Sequence, residues 1–318
     1  MALLTVDNLT MHYMTREGPV RAVDGVSFSV EHGQSLGLVG ESGCGKSSIA
    51  TSLLKLLPDN ASLLAGSVLL DGVDLLPLSE REMREYRWDR ISMVFQAAMN
   101  SLDPVYRVGD QIVEALEAHY EKTRQESHDR VQELYELVGL NPEFMDRYPH
   151  EYSGGMKQRA IIAMALACEP DLIIADEPTT ALDVIVQDRI LREMKEVQRK
   201  LDMSMIYISH DMAVIAEVSD AVGVMYAGKI VEFGPTSEVF DRPIHPYTQA
   251  LMSAFPSVVG EKKDLSTLPG EPPNLADPPA GCRFHPRCPY ATDECMTSEP
   301  PIVNRDGHWA VCWNPRNE

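Results

Sequence analysis

Positive charge is scarce in this chain. Its 318 residues hold 28 Lys and Arg against 48 Asp and Glu, a formal net charge of −20. A surface of that sign repels polyanions, which excludes nucleic acid as an expected partner. Long apolar runs are missing as well. Nowhere do 18 consecutive apolar residues occur, and the opening MALLTVDNLT carries no charged leader before an apolar stretch. The expectation is a chain that neither spans a membrane nor is exported. Its six cysteines then sit in a reducing compartment, where ligation or plain burial is favoured over disulfides. No Cys-x2-Cys knuckle and no long heptad run occur either.

Short apolar runs punctuated by turn residues are what the first forty positions do contain. VSFSV before His32 and Gly33, and SLGLV before Gly40, read as strands. A charged helical stretch over 79–90 leads into ISMVF, a strand ending at Gln96. Between Gln111 and Gly139, Val131, Leu134, Tyr135 and Val138 recur at helical spacing, which predicts an amphipathic helix stopped by Gly139. LIIAD at 172–176 and MSMIYIS at 203–209 flank a helix carrying Ile190, Met194, Val197 and Leu201, a βαβ pattern with buried parallel strands. AVGVMY, Ala227-Gly228 and KIVEF read as a closing hairpin. The fold class is α/β.

Gly40-Glu41-Ser42-Gly43-Cys44-Gly45-Lys46-Ser47 satisfies G-x-x-x-x-G-K-[ST] at every fixed position, between a strand and a helix that begins Ser47-Ser48. Such a loop turns consecutive N–H groups onto phosphates, with a helix N-terminus behind them. Lys46 is expected to reach the β and γ phosphates of a nucleotide, Ser47 to ligate Mg2+, and Ser48 to belong to the same contact set. Cys44 holds a variable position of the motif. LIIADE then places Asp176 at the end of a buried strand, where parallel sheets bind ligands, as a Mg2+ holder. Glu177 follows as a general base for the attacking water.

Further motifs stand in the chain order of the ABC ATPase family, which the sequence resembles over residues 1–240. Ser153-Gly154-Gly155-Met156-Lys157-Gln158-Arg159 is similar to the family's signature, Gln96 to its Q-loop, Thr180-Ala181-Leu182-Asp183 to its D-loop, and His210 to its switch histidine. Tyr13, expected on an edge strand, matches the aromatic that stacks on adenine. Two departures are Tyr152, where leucine usually precedes the signature, and Ala97-Ala98, where an acidic residue and proline usually follow the glutamine. The resemblance implies a P-loop NTPase (RecA-like) core with an antiparallel β subdomain and a helical insertion at about 97–157. It implies ATP with Mg2+, held by Ser47, Gln96 and Asp176, and a catalytic set of Glu177, His210 and Gln96. It also implies a second ATPase subunit whose Ser153, Gly154, Gly155 and Asp183 face this chain's nucleotide, with two different ATPases preferred to two copies.

Past His245 the composition changes. Twelve of the 22 prolines lie there, together with Cys282, Cys288, Cys295 and Cys312. A boundary is placed near 245–260, dividing residues 1–245 from a small Pro/Cys-rich C-terminal domain, 246–318. The spacing C-x5-C-x6-C-x16-C leaves zinc and an iron–sulfur cluster both open. HPYTQAL at 245–251, LPGEPP at 268–273 and the four cysteines are similar to the tail of ATPases serving oligopeptide and dipeptide importers. That resemblance favours a 4Fe-4S cluster over zinc, with a structural role. It implies work beside two integral permease subunits and an external substrate-binding protein, on the cytoplasmic face of the membrane. Importers of nickel or oligosaccharides share the pattern. A soluble ABC ATPase of DNA repair or translation is disfavoured by the single cassette and the charge of −20.

Overall fold

A computed structural model describes residues 2–96, 100–180, 182–254, 268 and 270–316. Ala97-Ala98, Ala181, Pro269 and the stretch 255–267 within the expected boundary lie outside the described residues. Two compact units divide the chain, and elements are numbered along it.

The unit built from Ala2–Val30, Leu36–Leu76 and the chain from Ile208 onward contains an antiparallel sheet of β1 (Ala2–Thr15), β2 (Gly18–Glu31), β4 (Ala61–Leu70) and β5 (Val73–Asp74). Their order is β2-β1-β4-β5, with Leu4 opposite Leu70 and Tyr13 opposite Ala61. Strand β1 is therefore interior, and the expected edge strand under Tyr13 is corrected. Its second neighbour, β4, lies too far along the chain for local pattern to reveal.

The same unit holds β3 (Ser35–Val39) from Leu36 onward, α1 (Lys46–Leu53), α7 (Met212–Val218), β9 (Ala221–Tyr226) and β10 (Lys229–Pro235). β3 and β9 pair in parallel, Leu36 with Ala221 through Val39 with Val224, and every residue of both is buried. Two parallel strands covered on both faces need this continuous apolar run. β9 and β10 form the expected hairpin, with Ala227 and Gly228 at φ +49° and +84°. Positive φ at both turn positions matches the right-handed twist of the flanking strands.

Beyond β10 come α8 (Thr236–Asp241), α9 (Pro246–Ala254), α10 (Asp293–Thr297), β11 (Ile302–Arg305) and β12 (His308–Val311). β12 pairs antiparallel with β10, Glu232 opposite Ala310, and β11 adds outside it. The cysteine-bearing tail thus extends the sheet that carries the phosphate loop. Glu232, wholly buried on β10, accepts hydrogen bonds from the N–H groups of Ile244 (2.7 Å) and His245 (2.9 Å) and lies 2.7 Å from Nε2 of His308. Burial pushes His245 down to about 4, so at neutral pH its ring is uncharged and Nδ1 accepts from the Tyr247 N–H at 3.0 Å.

The other unit, Glu31–Ser35 with Pro77–Tyr207, contains α2 (Glu80–Tyr86), β6 (Ile91–Val94), α3 (Val108–Glu117), α4 (Arg124–Leu137), α5 (Gly154–Ala165), β7 (Leu172–Asp176), α6 (Val184–Leu201) and β8 (Ser204–Ser209) as far as Tyr207. β6 and β7 pair in parallel, with β8 on the far side of β7. The stretch between Gln111 and Gly139 is two helices, with Val131, Leu134 and Tyr135 buried on the second. Thr123 starts α4 through a capping box with Glu126, which sets the break, and Gly139 at φ +68° stops it as expected. Tyr152 has a specific place: its hydroxyl lies 2.8 Å from that of buried Tyr135 and donates to the Phe144 carbonyl at 2.6 Å. A leucine there could satisfy neither partner.

Candidate nucleotide site

The phosphate loop leaves β3 at Val39 and re-enters regular structure at Lys46. Its glycines serve different needs. Gly45 takes φ +107°, and a Cβ on it would meet the Ala22 carbonyl oxygen at 2.0 Å. A Cβ on Gly40 would lie 2.2 Å from the Met225 oxygen, whereas Gly43, at φ +80°, faces open space and is needed for its conformation. Gly45 is also the N-cap of α1 and supplies no side-chain acceptor, so the first N–H groups of the helix stay available to an anion.

Lys46 is 6% exposed and folds back on the loop, donating from Nζ to the carbonyls of Gly40 (2.8 Å) and Glu41 (3.1 Å). Ser42, Gly43 and Ser47 are exposed, and Cys44 is buried beneath them with its thiol pushed up by that burial. Tyr13 Oη lies 3.2 Å from Ser48 Oγ, so the two residues expected to border the nucleotide touch each other. His210, just past β8, is exposed.

Behind the loop stand residues that sequence reasoning did not find. Tyr247 Oη accepts from the Glu41 N–H at 3.1 Å, and Arg287 grips the Glu41 carboxylate with both guanidinium nitrogens. A buried arginine demands an anion, but its burial is visible only in the fold, and its partner lies 246 positions away, so no sequence signal marks it. A second tail arginine, Arg283, bonds Asp24 and the Ala227 carbonyl.

In the other unit the parallel register of β6 and β7 sets Val94 beside Ala175, so Gln96 and Glu177, each two residues on, also meet. Gln96 Nε2 donates to Glu177 Oε2 at 2.9 Å, and Thr180 Oγ1 donates to the same oxygen at 3.0 Å. Glu177 sits at φ +47°, a turn that swings its carboxylate out of line with Asp176, which is buried at the end of β7. Ser153 and Asp183 are helix caps. Ser153 Oγ accepts from the Met156 N–H (3.3 Å) and opens α5 at Gly154; Asp183 accepts from the Val186 N–H (3.0 Å) and opens α6. Gly155 leaves no spare room, since a Cβ would lie 3.0 Å from Val186.

The four tail cysteines are free thiols, Cys295 and Cys312 buried, Cys282 and Cys288 half-buried. The Cys282 N–H donates to the Cys295 carbonyl at 2.8 Å. Burial pushes Cys282 up to about 11, with Cys295 and Cys288 adding to it, and Cys312 up to about 12, with all three others adding. The thiols are thus within electrostatic reach of one another. Yet among the described residues no group of three or more His, Cys, Asp or Glu side chains is arranged to hold a metal ion. The expected ligand shell is not formed by these side chains as they stand. No helix among the described residues is long and apolar enough to cross a membrane.

Comparison with known proteins agrees with this geometry. The family described as "ABC transporter" matches residues 23–180, and "Oligopeptide/dipeptide transporter, C-terminal region" matches 231–295. The chain is 48% identical to a probable peptide ABC transporter ATP-binding protein of Sinorhizobium fredii, over 98% of this chain and 94% of that one. It is 44% identical to the dipeptide transport ATP-binding protein DppD of Escherichia coli, over 100% and 98%. Among solved structures, the ATP-binding cassette MJ0796, a dimer bound to ADP and Pi in a post-hydrolysis state, superposes with a TM-score of 0.66 at 26% identity, over 73% of this chain and 98% of that one. With a phosphate loop, an Asp-Glu strand end and a capped signature helix in family order, and likeness over its full length, the chain belongs to the ATP-binding subunits of ABC transporters and is an ATPase.

Proposed function

We propose that this ATPase energises the import of dipeptides or oligopeptides. The observation that carries the reading is the tail: the likeness to peptide-transporter subunits runs to the C-terminus, and a peptide-transporter C-terminal region matches 231–295. We read the chain as a cassette, 1–245, followed by a Pro/Cys-rich appendage, 246–318, on the change of composition past His245. In this reading Lys46 exchanges its two loop carbonyls for phosphate oxygens, and Ser47, Asp176 and Gln96 offer Mg2+ the hard oxygen donors it prefers. Glu177, held by Gln96 and Thr180, orients and deprotonates water, while His210 contacts the γ-phosphate and Tyr13 and Ser48 border the base and the loop.

Ser153, Gly154, Gly155 and Asp183 act on the nucleotide of a second ATPase subunit, a heterodimer by preference. The pair works against two permease subunits fed by an external binding protein, at the cytoplasmic face of the membrane. Cells lacking the chain should lose uptake of a labelled dipeptide, regain it with the wild-type chain, and fail to regain it with Lys46→Ala. Intact peptide uptake with lost uptake of nickel or an oligosaccharide would assign the cargo otherwise.

The tail cysteines are read as ligands of a 4Fe-4S cluster. Four cysteines, with spacing too wide for a zinc knuckle, match the donor set that such a cluster uses. Such a cluster would cross-link a segment with little core of its own. Chain purified without oxygen should carry iron and labile sulfide; bound zinc, or no metal at all, overturns the assignment.

A further inference from the structure

The entering limb of the phosphate loop is braced by the tail. Arg287 Nη1 donates to Glu41 Oε2 at 2.6 Å and Nη2 donates to Oε1 at 3.0 Å, a two-point fork that fixes the carboxylate in plane as well as in position. The Arg287 side chain is 5% exposed and that of Glu41 25%, so solvent screens this pair little. The Glu41 N–H is taken by Tyr247, which leaves the limb held at both backbone and side chain.

The brace stands on a solid floor. Tyr226, Tyr247 and Phe284 are all buried, with ring centroids 4.6, 5.2 and 5.3 Å apart, and Tyr226 Oη lies 3.4 Å from Arg287 Nη1. The chemistry of the loop explains why a brace matters. Glu41 places a carboxylate in a loop whose other features invite a polyanion, so a mobile, unneutralised Glu41 would oppose the phosphates of the ligand.

We propose that Arg287 is a positioning residue of the nucleotide site: it binds the Glu41 carboxylate at two points, fixes the phosphate loop, and draws a negative charge away from the polyphosphate. Arg287 directly precedes Cys288 in the chain, so an ordered cysteine-rich tail and a competent phosphate loop are parts of one arrangement. The inference rests on the nucleotide-binding role of the loop.

The test is a cycle on the full-length chain, with Arg287→Met, Glu41→Gln and the double variant, read by binding of a fluorescent ATP analogue and by steady-state ATPase. Arg287→Met should weaken ATP binding and raise KM by about 10-fold to 100-fold, the effect of losing a charged two-point bond, with kcat changed by far less. Glu41→Gln should cost less, because the repelling charge goes with it. The diagnostic result is rescue: Glu41→Gln added to Arg287→Met should restore much of the lost affinity, which a general loosening of the tail would not allow. Wild-type affinity in Arg287→Met, or a double variant weaker than either single, overturns the proposal. If Arg287→Met does not fold, Arg287→Lys keeps the charge without the fork and should give an intermediate KM; an unchanged KM there counts against it. Lys46→Ala separates the two levels, since ATP binding that survives it would overturn the nucleotide reading itself.

Discussion

Glu177→Gln should reduce ATP turnover by about 10²-fold to 10⁴-fold, the range a positioned general base contributes, while the variant still binds ATP. The substitution is nearly isosteric. Oε2 of Glu177 accepts from Gln96 Nε2 and Thr180 Oγ1, and an amide oxygen in its place can accept from both. The turn at φ +47° is set by the backbone and tolerates either residue equally. What the amide cannot do is take a proton from water. Binding and hydrolysis should therefore separate, with ATP retained on the protein and, if two subunits share the nucleotides, a long-lived dimer visible by size exclusion. The same property makes Gln96 a sensitive neighbour, because it reports to the base through a single 2.9 Å bond. Normal single-turnover hydrolysis by Glu177→Gln would sink the general-base assignment and move attention to His210.

Glu232→Ala should cost about 3–5 kcal/mol of stability, the range for removing one partner of a buried charged set. Glu232 is wholly buried, and its two oxygens serve the N–H groups of Ile244 and His245 and the imidazole of His308. Truncation removes the acceptor that two backbone donors and the His308 ring nitrogen contact. The damage should reach beyond β10. His308 lies on β12 and Ile244 and His245 lead into α9, so one carboxylate holds three separate stretches of chain together. Glu232→Gln, which keeps one oxygen acceptor, should cost less. Denaturant midpoints of the two variants measure the difference at constant m-value, and a loss below about 1 kcal/mol in Glu232→Ala, the value of an ordinary hydrogen bond, would show that water enters and replaces the carboxylate.

The features legible in the sequence are those whose cause is local. Gly40 to Ser47 announces itself because strand, loop and helix follow in eight residues, and Ala227-Gly228 because a two-residue turn between apolar runs has few alternatives. The break between α3 and α4 carried its own mark, Thr123 with Glu126, yet the apolar spacing around Val131 outweighed it. Tyr13 was assigned to an edge because nothing within β1 indicates that Ala61 lies opposite. The contact of Gln96 with Glu177 follows from the β6–β7 register, which no local pattern encodes. Arg287 is the extreme case. It stands in a segment rich in proline and cysteine that draws attention to metals, while its partner is a variable position of the phosphate motif, where residue identity carries no expectation.

Lys46, proposed to meet a polyanion, begins from an unusual state for that role. It is buried and donates to two carbonyl oxygens of its own loop. Burial has already replaced much of the solvent around the ammonium with loop carbonyls. In the proposed nucleotide role, an arriving phosphate would offer Lys46 new oxygens in place of the two carbonyls. On that proposed role, a ligand would engage Lys46 only by outcompeting both carbonyls, and the loop would favour the more highly charged ligand.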